Sequence, residues 1–224
     1  MKIKNLNELQ DKIDEEMQWR KRELGNIQTN IKEAIGFTKE TAIRAGIALL
    51  YAHWEGCIKN IATYYLAYVS ELSLSYDKLA PNFLAVVIKH CLIEFKESRK
   101  ATIHTRIVNQ VINRRNIKDK IPVDRVIYTE GNLNSELFKE IMATIGLPCD
   151  RYECDFKLID RVLLKNRNIV AHGERVETLS IDEDRYCDIH EKIVFLLDTF
   201  SKQVLEAAIS KLYLNVSDDC GAVT

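Results

Sequence analysis

Apolar residues recur three and four positions apart along most of the chain, the spacing of one helix face. Leu6, Leu9, Ile13 and Met17 do so within a highly charged stretch, which predicts a long amphipathic helix over residues 6–35, ended by Gly36. Residues 38–74 are the most apolar segment, running through Ile43, Ile47, Leu50, Trp54, Ile58, Ile61 and Tyr65. Hydrophobicity this continuous predicts a central helix covered on most sides. Gly46 and Gly56 lie inside it, where glycine costs about 1 kcal/mol relative to alanine, so close helix packing is expected at both.

Pro81 opens a third helix over 82–97, in the first-turn position that tolerates proline, and a fourth covers 102–114. Residues 115–131 read as an irregular exposed insertion with an extended stretch, Val123 to Tyr128. Asn134 or Ser135 caps a helix to Ile145, stopped by Gly146 and Pro148. The next helix runs from Asp155 to Ala171, with Phe156, Ile159, Val162, Leu163, Ile169 and Val170 as its buried stripe and Gly173 as its stop. Ser180 and Glu183 match a capping box that opens a last helix over 181–213, with its stripe running from Ile189 and Ile193 to Ala207 and Leu212. The prediction is an all-α bundle of about six or seven helices with one irregular insertion. A single domain fills 1–215, and 216–224 form a frayed tail.

Composition changes this picture little. The chain has 224 residues, 46% hydrophobic and 29% charged, with few Gly and Pro, as a helical globular domain requires. The formal net charge of −1 removes any global argument for nucleic-acid binding. A local one remains. Nine basic residues between Lys96 and Arg125, among them Arg99, Lys100, Arg106, Arg114, Arg115 and Lys118, face three acids, a net of +6 able to attract phosphates. The six cysteines are scattered with no CxxC pair, residues 1–30 are too charged for a signal peptide, and no apolar run spans a bilayer. A reduced, cytoplasmic protein with free thiols and no membrane contact is expected. Cys187 and His190 have ligand-like spacing but lack two further ligands, so neither metal nor cofactor is expected.

Phosphate-binding glycine loops, HExxH and GxSxG are absent. Of the five histidines, His172 stands out by its address, where a predicted helix stops before Gly173. Arg167 lies five residues earlier with Asn168 beside it. An arginine fork binds phosphate oxygens and offsets developing charge, and a histidine moves protons near neutral pH, so the three make a metal-free kit for phosphodiester cleavage. An ordinary helix C-cap uses the same residues: arginine near the carbonyl end, then His-Gly. His53 and Glu55 lie two apart on the second helix, so they point about 200° from each other, and Lys59 stands at pairing distance from Glu55. These three are either a structural polar network or a set behind the site or facing RNA.

The segment Arg167-Asn168-Ile169-Val170-Ala171-His172 resembles the R-x4-6-H signature of the HEPN superfamily. With Trp19-Arg20-Lys21-Arg22-Glu23-Leu24, Tyr51-Ala52-His53-Trp54-Glu55-Gly56 and Gly131-Asn132-Leu133-Asn134, in that order, the chain resembles the RiboL-PSP-HEPN branch over roughly residues 15–200. The resemblance implies a HEPN helical bundle and a homodimer whose two motifs form one composite cleft. It also implies metal-independent RNA cleavage through the 2′-hydroxyl, with Arg167, Asn168 and His172 catalytic. The implied setting is a toxin or anti-phage effector with an antitoxin or defence-system partner. Where nucleotidyltransferase-silenced HEPN toxins carry tyrosine two residues after the histidine, this chain has Glu174, so control by tyrosine adenylylation is not expected. The alternatives are a non-catalytic HEPN module that binds nucleotide or RNA or serves assembly, and a helical interaction protein without RNA contact.

Overall fold

The computed structural model describes residues 1–113, 118, 120–175 and 181–215. Arg114 and Arg115 of the basic segment, Ser180 of the expected capping box and the tail from Val216 lie outside the described residues. The described residues contain no strand. They form seven α-helices, in order α1 (Leu6–Glu33), α2 (Gly36–Glu71), α3 (Pro81–Glu97), α4 (Ala101–Ile112), α5 (Ser135–Ile145), α6 (Lys165–Ala171) and α7 (Glu183–Ile209).

α1, α2 and α7 pack on one another as the core, α6 lies along α2, and α5 bridges α2 to α3, which carries α4 outermost. α2 is central because its apolar residues go all round: Ile47, Leu50, Trp54, Ile58, Ile61 and Tyr65 are all inaccessible to solvent. Gly46 lets neighbours approach, since a Cβ there would lie 2.7 Å from the Tyr186 ring of α7 and 2.8 Å from Ile31 of α1. Gly56 does the same for α1, with Arg20 Nη2 at 2.8 Å from the corresponding position. The chain closes where Leu214 bridges to Leu79 and the Ala80 amide donates to the Tyr213 carbonyl at 2.8 Å.

Several boundaries differ from the sequence pattern. Gly36 does not end α1; it takes φ +54° as the first residue of α2, because α1 stops at Glu33 and the chain must reverse at once. Val123–Tyr128 is not extended: the Val126 amide bonds back to the Val123 carbonyl, and Arg125 has φ +60°. Asp182 caps α7, its side chain accepting from the Arg185 amide, in the place expected for Ser180. Leu212 lies beyond the end of α7 and is exposed.

The largest difference is before Arg167. The helix expected to run evenly from Asp155 to Ala171 begins as a 3-10 stretch, Asp150–Asp155, widens into a π-helix, Leu158–Leu164, and only then becomes α6. Each π turn carries an extra residue, which rotates everything after it about the axis. Ile159 and Leu163 are therefore buried, whereas Val162, Ile169 and Val170 of the expected stripe are only half-buried.

Candidate active site around Arg167

Arg167 is held from three directions. Behind it, Tyr51 of α2 is buried, and the guanidinium carbon lies 4.1 Å over the centre of its ring. One turn along α2, Glu55 Oε2 stands 3.9 Å from Arg167 Nη2. From the loop before α5, the Gly131 carbonyl accepts from Nη2, while Nη1 donates to Asn168 Oδ1 at 2.9 Å. The Arg167 and Glu55 side chains keep 22% and 16% exposure, so the guanidinium is fixed yet reachable by solvent.

Local sequence explains the loop. Glu130 and Gly131 both take positive φ, +54° and +66°, in a turn closed by the Asn132 amide donating to the Thr129 carbonyl at 2.9 Å. This turns the Gly131 carbonyl toward α6. The next residues fasten the turn. The Leu133 amide donates to the Tyr51 hydroxyl at 2.5 Å, and Asn134 caps α5 by accepting from the Leu137 amide at 2.8 Å. The Ser135 amide and hydroxyl donate to Asp160 of the π-helix at 2.7 and 2.5 Å. Burial, then the nearby Glu55 carboxylate, pushes the Tyr51 hydroxyl up to about 12, so it stays protonated.

His172 ends α6. The Gly173 amide bonds to the Val170 carbonyl at 3.1 Å and the Glu174 amide to the Ile169 carbonyl at 3.2 Å, with Gly173 at φ +68°. This is a Schellman cap. The cap uses only the backbone of His172 and leaves its side chain exposed, without a hydrogen bond or ion pair among the described residues. Arg44 of α2 holds the exit by donating to the carbonyls of Glu174 at 2.7 Å and Arg175 at 3.3 Å. α6 thus runs antiparallel to α2, from Tyr51 and Glu55 toward Arg44.

The structure therefore brings together Arg167, Asn168 and Glu55, with His172 at the end of the same short helix. His53 is elsewhere. It faces α1, where Arg20 Nη1 donates to its Nδ1 at 3.1 Å and its Nε2 meets Glu23 Oε2 at 2.7 Å. Arg20 also donates to buried Glu16, which accepts from Asn60 at 2.7 Å and Tyr64 at 3.1 Å. Burial and the Arg20 charge lower the His53 pKa, against the pull of Glu23. Arg20 of one motif and His53 of the other thus meet in a buried polar clasp between α1 and α2, with Gly56 leaving room for the guanidinium. The expected pairing of Glu55 with Lys59 does not form: Glu55 turns to Arg167, and Lys59 is exposed.

The basic segment is separate again. Arg106 pairs with Glu94 at 2.5 Å, while Arg99, Lys100 and Lys118 are exposed. Lys120 pairs with Glu71 at 2.6 Å, about 24 Å along α2 from Glu55 at 1.5 Å per residue. Tyr51 and Gly131 were not singled out in the sequence as parts of the site. The i, i+4 pair Tyr51/Glu55 on an apolar helix was the available signal.

A family model described as RiboL-PSP-HEPN matches residues 15–206. No curated protein and no solved structure matches the chain.

Proposed function

The chain belongs to the RiboL-PSP-HEPN family, a HEPN-type domain, and on that premise we propose that it is a metal-independent endoribonuclease acting through Arg167, Asn168 and His172. The observation that carries this reading is the preorganised Arg167 guanidinium: fixed on its ring face and one edge, it keeps further N–H groups for a phosphate. A fixed donor set stabilises developing charge without reorganising during the reaction.

In the proposed step the RNA 2′-hydroxyl attacks the adjacent phosphorus. His172 takes its proton as the O2′–P bond forms. The P–O5′ bond breaks and its oxygen takes up a proton, leaving a 2′,3′-cyclic phosphate and a 5′-hydroxyl. A homodimer fits this division of labour, because two copies of His172 in one composite cleft would share the two proton transfers. α6 favours such pairing: none of its residues is buried within the chain, and Ile169 and Val170 are half-exposed on it. A toxin or anti-phage effector, silenced or triggered by a partner, is the setting proposed for this activity.

The test is cleavage of a labelled single-stranded RNA in EDTA. Wild type cuts, and His172→Ala and Arg167→Ala each lose about 100-fold or more with helix content intact. RNA binding without cutting by the wild type would support the non-catalytic module instead. Activity lost on chelation would overturn the metal-free mechanism.

A further inference from the structure

Tyr51, Glu55, Arg167, Gly131 and Leu133 form a closed circuit across three parts of the fold. The Tyr51 ring lies under Arg167; Arg167 donates to Gly131; two residues on, the Leu133 amide donates back to the Tyr51 hydroxyl. Glu55 closes the remaining side, near both the Tyr51 hydroxyl and the Arg167 guanidinium. We propose that Tyr51 is the positioning residue of the site: its ring sets the plane of the Arg167 guanidinium, and its hydroxyl sets the turn whose carbonyl grips that guanidinium's edge. The inference rests on the reading of Arg167 as the phosphate-binding group.

The physical case is one of degrees of freedom. Arginine carries four side-chain torsions, and a planar fork recognises a phosphate only when its plane and its rotation within that plane are both set. A flat aromatic face removes tilt, because the cation is drawn to the π cloud. One acceptor at the edge then removes in-plane rotation. Tyr51 supplies the first constraint directly and the second through Leu133 and the turn. A phenylalanine would keep the face and release the turn. An aliphatic residue would fill the core and keep neither. The ring's other duties do not explain this arrangement, since a core side chain does not need a guanidinium on its face.

The experiment uses the full chain with Tyr51 replaced by Phe and by pentafluorophenylalanine, near-isosteric rings whose quadrupoles have opposite sign. The Arg167 Nε–H resonance is read by NMR, with Arg167→Lys giving its assignment, and melting curves establish that each variant is folded. In wild type and Tyr51→Phe this resonance is displaced by the ring current. In the fluorinated variant it moves toward the free-arginine position. Leu133 amide exchange accelerates in both variants, because both lack the hydroxyl. If RNA is cut, the fluorinated variant loses about tenfold in kcat relative to Tyr51→Phe, with KM changing less, and this difference disappears when Arg167 is alanine. An Arg167 resonance that is the same for both ring types, or a kcat loss that persists without Arg167, would overturn the proposal. The resonance and exchange readouts hold even if no RNA is cut, so failure of the ribonuclease reading is distinguishable from failure of this one.

Discussion

His53 and His190 are two core imidazoles with opposite degrees of satisfaction. His53 is engaged at both nitrogens, by Arg20 and Glu23. His190 reaches the Leu24 carbonyl at 3.2 Å through Nε2, while its Nδ1 is buried without a partner among the described residues. Both have pKa values lowered, principally by burial. A lowered folded pKa means that the unfolded chain binds protons first as pH falls. The stability is therefore fully present above the unfolded value, near 6.5, and drains away as pH drops from there through the folded values. Thermal melts between pH 8 and 5 are expected to show Tm falling below about pH 6.5, and a His190→Gln variant is expected to show a shallower fall. A Tm that is flat or rising over that interval would contradict the assignment of neutral, buried rings.

At the scale of the element, glycines divide by what surrounds them. Gly46 of α2 faces the fully buried Tyr186 ring and Ile31, both closer than a real Cβ contact permits. Alanine there gains up to about 1 kcal/mol of helix propensity but overpacks at about 1–3 kcal/mol, so the net effect is loss. Gly25 lies inside α1 with nothing within 4 Å of an added Cβ. Gly25→Ala therefore stabilises by about 0.5–1 kcal/mol. Urea unfolding of the two variants is expected to move the midpoint in opposite directions, and movement in the same direction would refute the packing account. The Arg20 clasp is the other product of element packing. It puts a guanidinium and a carboxylate between α1 and α2, where only Gly56 leaves room for the guanidinium. Removing one charge there leaves the other buried and unpaired, the costly case.

At the scale of the molecule, the Lys120–Glu71 pair of the basic segment stands about 24 Å along α2 from Glu55, which faces Arg167. Arg99 and Lys100 of the same segment are exposed, make no contact with Arg167 among the described residues, and would meet RNA through its phosphates, so charge reversal there is expected to weaken binding in a salt-dependent way and leave turnover of bound RNA unchanged. Assembly is testable on α6. Sedimentation at micromolar concentration is expected to find a dimer for the wild type and a monomer, folded and inactive, for Ile169→Asp. A wild-type monomer that still cuts would remove the composite cleft. Among the described residues, no helix is long and apolar enough to cross a membrane.

The sequence by itself determined the helices, because an amphipathic period, proline at a first turn and glycine beyond a last turn act within a few residues. It placed α3 within one residue, put Gly146 and Gly173 at helix ends, where the structure gives both a positive φ, and marked Gly46 and Gly56 as points of close approach. It also carried, in order, the motifs on which the resemblance to the family rests, and the family model matches residues 15–206. It did not determine which halves of those motifs meet. Tyr51, His53, Glu55 and Gly56 sit in one short run, yet helical rotation sends Tyr51 and Glu55 to Arg167 and His53 and Gly56 to Arg20. Only packing against α1 on one side and α6 on the other decides that division. The π-helix before Arg167 was equally hidden, because it sits in contacts such as Asp160 with Ser135 rather than in any local period. Local chemistry sets the elements; the aim of each side chain is fixed by partners distant in the chain, which a period along the sequence does not encode.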